Sequence, residues 1–212
     1  MSGFFRKQHT FARVGLWVLV GMIVVGLLGS TVAWYMGSES EKLKPDSSSH
    51  KEDIISTERE KQEALREQYK GMLASKPQDL AVLTGYARVE MSLGELYLQE
   101  KKEAQGQEAF QQAATLYQKA LEQQDDLQLR LELAAAYQML QDDSKAEVEL
   151  QKIIKQDPGN IQALAQMGAL LESRGDWDGA VKAWESVASS PQADQMTKEF
   201  SESRIKEIQQ KK

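Results

Sequence analysis

The sequence predicts an all-α chain with one membrane-crossing helix ahead of its soluble part, on three observations. The 23 residues from Val14 to Met36 carry no charged side chain. Everything beyond them is rich in Glu, Gln, Lys, Ala and Leu, with apolar residues recurring at helical spacing. Residues that interrupt helices are scarce, with 4 Pro and a single Asn (Asn160), and β-branched residues beyond Met36 never alternate as in a strand.

The apolar run would rise roughly 34 Å as a helix, against a hydrocarbon core of about 30 Å. Trp17 lies near one end and Trp34 with Tyr35 at the other, where amphipathic rings favour the headgroup boundary. Thr31-Val32-Ala33 offers the small residues of a signal-peptide cleavage site, but the run far exceeds a signal core of about 7 to 15 residues, so the reading is an uncleaved anchor. The flank 1–13 holds Arg6, Lys7 and Arg13, whereas Lys42 and Lys44 on the other side stand among Glu39, Glu41 and Asp46. The positive-inside rule keeps the N-terminus in the cytoplasm and places the rest outside it. Gly26, Gly29, Ser30 and Ala33 form a small-residue stripe suited to close helix approach, which also allows a homo-oligomer.

Residues 37–53 combine Ser, charge and Pro45 with almost no apolar surface, and read as a flexible tether. Beyond it the chain repeats. Leu127–Asn160 and Ile161–Asp194 align over 34 residues without a gap. Leu133, Ala134, Tyr137, Ala146, Leu150 and Pro158 fall at repeat positions 7, 8, 11, 20, 24 and 32, and Met167, Gly168, Leu171, Ala180 and Trp184 fall at the first five of these. Small residues at positions 8 and 20 let two helices of a hairpin cross closely, large ones at 7, 11 and 24 fill the space between hairpins, and Pro158 ends the second helix. Upstream, residues 54–78 read as a lone helix with Leu65, Tyr69 and Met72 facing inward. Residues 79–126 read as a lengthened hairpin turning near Lys101 to Gly106, and 195–212 as a capping helix with Phe200, Ile205 and Ile208 on one side.

This pattern resembles the tetratricopeptide-repeat (TPR) family, which implies a solenoid of helical hairpins. Departures are Arg130 for the usual aromatic, Ile153 and Val187 for a late Ala, and Pro191 one place early. With its basic flank, single span and tether, the chain resembles the bacterial periplasmic TPR proteins that assist the Sec translocon, and also the TPR domains of cytochrome c maturation factors. The resemblance implies a single-pass protein of the bacterial inner membrane, with its TPR domain extracytoplasmic.

Chemistry has little to stand on. The only histidines, His9 and His50, lie in the flank and the tether, and the chain has no Cys, so no metal, cofactor or nucleophile set can be assembled. Asp125-Asp126 and Asp142-Asp143 sit in turns as helix caps, and Arg174-Gly175-Asp176 reads as a tight turn rather than an adhesion motif. Beyond Met36, 23 basic residues face 32 acidic ones, which disfavours nucleic acid. The reading is a non-enzymatic scaffold for other proteins in envelope secretion, folding or complex assembly. The alternative is a self-oligomerising structural protein without clients.

By the family register, the concave surface falls on positions 2, 5, 9, 12 and 13 of each repeat, in the first helix of its hairpin. Among these, Arg88, Met91, Gln128, Leu131, Gln138, Met139, Gln162 and Glu172 are the candidate contacts. They form a neutral trough suited to an apolar helix or extended segment of a partner. The Lys/Asn set that clamps a partner's C-terminal carboxylate is absent.

Overall fold

A computed structural model describes residues 47–211. Eight helices and no strand occur among them: α1 (Ser47–Ser75), α2 (Leu80–Gln99), α3 (Glu103–Gln123), α4 (Leu127–Met139), α5 (Asp143–Gln156), α6 (Ile161–Arg174), α7 (Trp177–Ser189) and α8 (Gln195–Gln209). The expected span 14–36 with its Gly26, Gly29, Ser30 and Ala33, the flank 1–13 and the tether up to residue 46 lie outside the described residues. No described helix is long and apolar enough to cross a membrane.

The turns explain why helices begin and end where they do. Asp79, Asp126, Asp142, Asn160, Asp176 and Asp194 each accept a hydrogen bond from the backbone N–H three residues on, at 2.7–3.2 Å, satisfying a donor that the first helical turn leaves free. Three hairpins, α2–α3, α4–α5 and α6–α7, close with one device. Lys101, Gln141 and Gly175 take left-handed φ values of 61°, 60° and 78°. The N–H of the next residue then reaches back to the carbonyl of Tyr97, Tyr137 or Leu171 at 2.8–2.9 Å. The lengthened hairpin therefore turns at Glu100–Lys102, and Gly106 lies inside α3, where an added Cβ would stand 3.1 Å from the Gly94 carbonyl oxygen. That glycine permits close helix contact and is not a turn residue.

Residues 47–53, read from sequence as tether, are helical. Propagating a helix needs only the backbone ladder once a nucleus exists, so the lack of apolar residues there does not end it.

Packing follows the small-against-large rule. Gly94 receives the ring of Phe110, and Gly168 receives the indole of Trp184. Ala113, Tyr117 and Ala120 on α3, Ala146, Leu150 and Ile153 on α5, and Ala180, Trp184 and Val187 on α7 are all 0–4% exposed. Leu133, Ala134, Tyr137 and Met167 are buried beside them, Leu171 is half-buried, and Pro158 is exposed in its turn, so its part is to end α5 and not to pack. One core cluster runs from Leu83 on α2 through Leu170 on α6 to Ala183 on α7.

Candidate functional site

The first helices of successive hairpins, α2, α4 and α6, bring the candidate contacts to one side. Between α2 and α4 opens a cleft of about 380 Å³ lined by Leu80, Ala81, Thr84 and Arg88 on one wall and Gln124, Asp126, Gln128 and Leu129 on the other. Arg88 spans it: its guanidinium donates to both carboxylate oxygens of Glu132, Nη2 at 2.8 Å and Nε at 3.0 Å, while its side chain stays 58% exposed. Gln128 is exposed and touches the same carboxylate at 3.4 Å. Beneath the pair, burial first and then the Glu132 carboxylate push the Tyr117 phenol far up, so it stays a neutral donor.

Three other candidates remain at least partly accessible: Gln162 is exposed, and Met91 and Met139 are half-buried. Three candidates are not available to a partner. Leu131 is 4% exposed and belongs to the main core cluster. Gln138 is 6% exposed, and neither end of its amide has a hydrogen-bond partner. Glu172 accepts from the Trp184 indole N–H at 2.7 Å and is closed over by the Arg204 guanidinium of α8. The family register places these positions on the concave side, but adjacent helices approach closely enough to cover them, and α8 covers the last.

A tetratricopeptide-repeat family model matches residues 128–160, the α4–α5 hairpin with its closing turn. The chain carries a tetratricopeptide repeat. Solved structures similar to it include one described as "Crystal structure of MamA", at 18% identity and a TM-score of 0.47 over 74% of this chain and 94% of that one. Another, "Crystal structure of MamA protein", has 18% identity and a TM-score of 0.47 over 75% and 88%. A third, "MamA RS-1 ArsTM double mutant", has 13% identity and a TM-score of 0.38 over 71% and 96%. No match is found among curated proteins.

Ahead of the matched TPR unit, α1 and α2 are joined by charge as well as apolar contact. Arg66 donates to both oxygens of Glu90, at 2.9 and 2.6 Å, and Glu90 is 2% exposed. Arg59 bridges Glu63 and Glu100, and the Tyr97 hydroxyl donates to Glu63 at 2.8 Å. Tyr69 stacks on Tyr86 with ring centroids 6.3 Å apart. Burial, with Glu90 beside it, pushes the Tyr86 phenol up to about 12. Sequence reasoning passed over Glu90 and Arg204. The available signal was their spacing, because Glu90 falls within the apolar series Tyr86, Leu93, Tyr97, and Arg204 within Phe200, Ser201, Ile208.

The Arg174-Gly175-Asp176 turn is fully engaged: Arg174 pairs with Glu147, Gly175 holds the left-handed φ, and Asp176 caps α7. Among the described residues no group of three or more His, Cys, Asp or Glu is placed to hold a metal ion.

Proposed function

We propose that this chain is a non-enzymatic TPR scaffold that holds an apolar helix or extended segment of another protein in the cleft between α2 and α4. The observation that carries the reading is the cleft itself: apolar ground from Leu80 and Ala81, with the exposed Arg88 guanidinium and Gln128 amide at its mouth. An apolar floor supplies affinity, and a few convergent polar groups set orientation. Gln162 on α6 extends the same side.

The finer reading is an adaptor in bacterial envelope secretion, folding or complex assembly, held by residues 14–36 in the inner membrane with the TPR domain outside the cytoplasm. Its support is the uncharged 23-residue run and the excess of Arg and Lys before it.

The test is site-specific photocrosslinking of the full-length protein in native membranes, with the photoreactive residue at Gln128 or Thr84 and, as a control, at Lys119 on α3. Adducts to other envelope proteins at the two cleft positions, lost on Arg88→Glu and absent from Lys119, support the reading. Adducts indifferent to Arg88→Glu, or equal at all three positions, overturn it. Leu131 is unsuitable for such substitutions, since a carboxylate there would enter the core.

A further inference from the structure

Four carboxylates stand on the first helices of the three hairpins: Glu90 and Glu95 on α2, Glu132 on α4 and Glu172 on α6. Three of them are each gripped by an arginine that comes from another helix. Arg66 of α1 takes Glu90, Arg88 of α2 takes Glu132, and Arg204 of α8 takes Glu172. Glu95 is the exception: among the described residues no side chain donates to it or pairs with it.

Its surroundings make that exception costly. Glu95 is open to solvent, yet burial alone raises its carboxyl above the ordinary carboxylate value, with no cation nearby to offset it. Both hold at once only in a concavity, where water reaches the group while protein crowds it from several sides. Its place in the fold says which concavity. Thr84, Arg88, Met91 and Glu95 follow one another at spacings of four, three and four along α2, so Glu95 continues the stripe that walls the cleft. α2 and α4 run in the same direction, with α3 returning between them, and the Arg88–Glu132 pair fixes their register. Seven residues on, Glu95 stands level with Met139, the last residue of α4. The carbonyl end of that helix adds its own negative potential to the carboxylate's. Asp142, just beyond, is already taken by Lys145.

We propose that the segment held between α2 and α4 carries a lysine or arginine that pairs with Glu95, about 10 Å along the trough from Arg88. This rests on the cleft reading given above and adds the partner's chemistry to it. A guanidinium or ammonium at that place meets Glu95 as Arg66, Arg88 and Arg204 meet the other three carboxylates, from a neighbouring segment. Met91 lies half-buried between the two charged groups. The segment that fits is therefore apolar in its middle and basic at the end that lies over Met139. A neutral end would leave Glu95 crowded and unpaired, and an acidic one would add repulsion. The excess of acidic residues beyond Met36, 32 against 23, draws a basic segment to every side alike, so this pairing and not net charge sets the site.

The test places a photoreactive residue at Gln99, exposed and one turn beyond Glu95, in the full-length protein in native membranes, beside the Thr84 position that probes the cleft. Each is combined with Glu95→Lys and, as a control for net charge, with Glu122→Lys on α3. Adducts at both positions should fall about tenfold with Glu95→Lys and hold with Glu122→Lys. The partner residues joined to Gln99 should include a lysine or arginine within one helical turn. A synthetic peptide of the joined segment, with that basic residue replaced by norleucine, should bind the wild type about tenfold more weakly, and should bind Glu95→Gln no more weakly than the parent peptide does. Thermal melts of the Glu95 variants should be unchanged, because the side chain has no partner to lose. Thr84 adducts that vanish with Arg88→Glu but ignore Glu95→Lys leave the cleft standing and overturn the pairing. An absence of adducts at Thr84 removes both. A joined segment without a basic residue, an equal loss with Glu122→Lys, or Gln99 adducts only to this chain itself also overturn the pairing.

Discussion

Arg66 of α1 and Glu90 of α2 form a two-point ion pair, 2.9 and 2.6 Å, at a position where the carboxylate is almost wholly out of water. The desolvation of Glu90 is offset only while Arg66 is present. Glu90→Ala or Arg66→Ala should therefore cost about 3 kcal/mol, since each leaves a charge unpaired. The double replacement Arg66→Met with Glu90→Leu should recover most of that loss. Urea unfolding of the four proteins measures the cycle. Equal losses in the single and double variants would mean that the pair does not hold α1 in place.

Gly168 and Gly71 should respond to alanine with opposite signs. A Cβ at Gly168 would stand 2.7 Å from the Trp184 ring, whereas at Gly71 nothing lies within 4 Å. Gly168→Ala should destabilise by about 1 to 3 kcal/mol through overpacking, despite the better helix propensity of alanine. Gly71→Ala should stabilise by about 0.5 to 1 kcal/mol. Denaturant midpoints at constant m-value separate the two.

Lys101 and Gln141 occupy left-handed turn positions that Gly175 fills in the α6–α7 hairpin. Removing the Cβ relieves a strain of about 1 to 2 kcal/mol per residue, so Lys101→Gly and Gln141→Gly should each raise stability by up to about 1 kcal/mol after the added entropy of the unfolded chain. Gly175→Ala should lower it. Thermal melts of the three variants give the signs directly.

The α1–α2 contact should be the first to respond to acid. Glu63 is held below the ordinary value of 4.5, the Tyr97 hydroxyl and Arg59 outweighing the burial that would raise it. Glu100 is lowered by Lys102 and then Arg59, again against burial. For carboxylates depressed in the folded state, the stabilisation is complete above the unfolded value near 4.5 and is lost as pH falls through the lower folded values. Hydrogen exchange on α1 should accelerate below about pH 4.5 before exchange on α4 and α5 does. Tyr97→Phe should bring Glu63 back toward its ordinary value in a carboxyl NMR titration.

What was legible in the sequence was whatever depends on neighbours along the chain. The all-helical class followed from spacing and from the scarcity of breakers. Asp126 and Asp142 could be read as caps because capping is a contact between residues three apart. The small residues Ala134 and Gly168, 34 apart, announced the repeat because each had to admit a large side chain from its own hairpin. The reading missed the start of α1, since residues 47–53 carry no apolar face and a continuing helix needs none. It also assigned Gly106 to a turn, because glycine serves both turns and close contacts and its neighbours in sequence do not say which.

The sequence by itself determined the repeat, its caps and its small-against-large packing, all set by propensity and local spacing. Only the tertiary structure decided which side chains of the concave side remain accessible. Leu131, Gln138 and Glu172 share a register with Arg88 and Gln128, but exposure depends on how closely the next helix lies. That distance comes from packing among helices more than 30 residues apart. The same dependence exposes Leu65 and Met72 on α1, which among the described residues lacks the hairpin partner that helps to bury α3, α5 and α7.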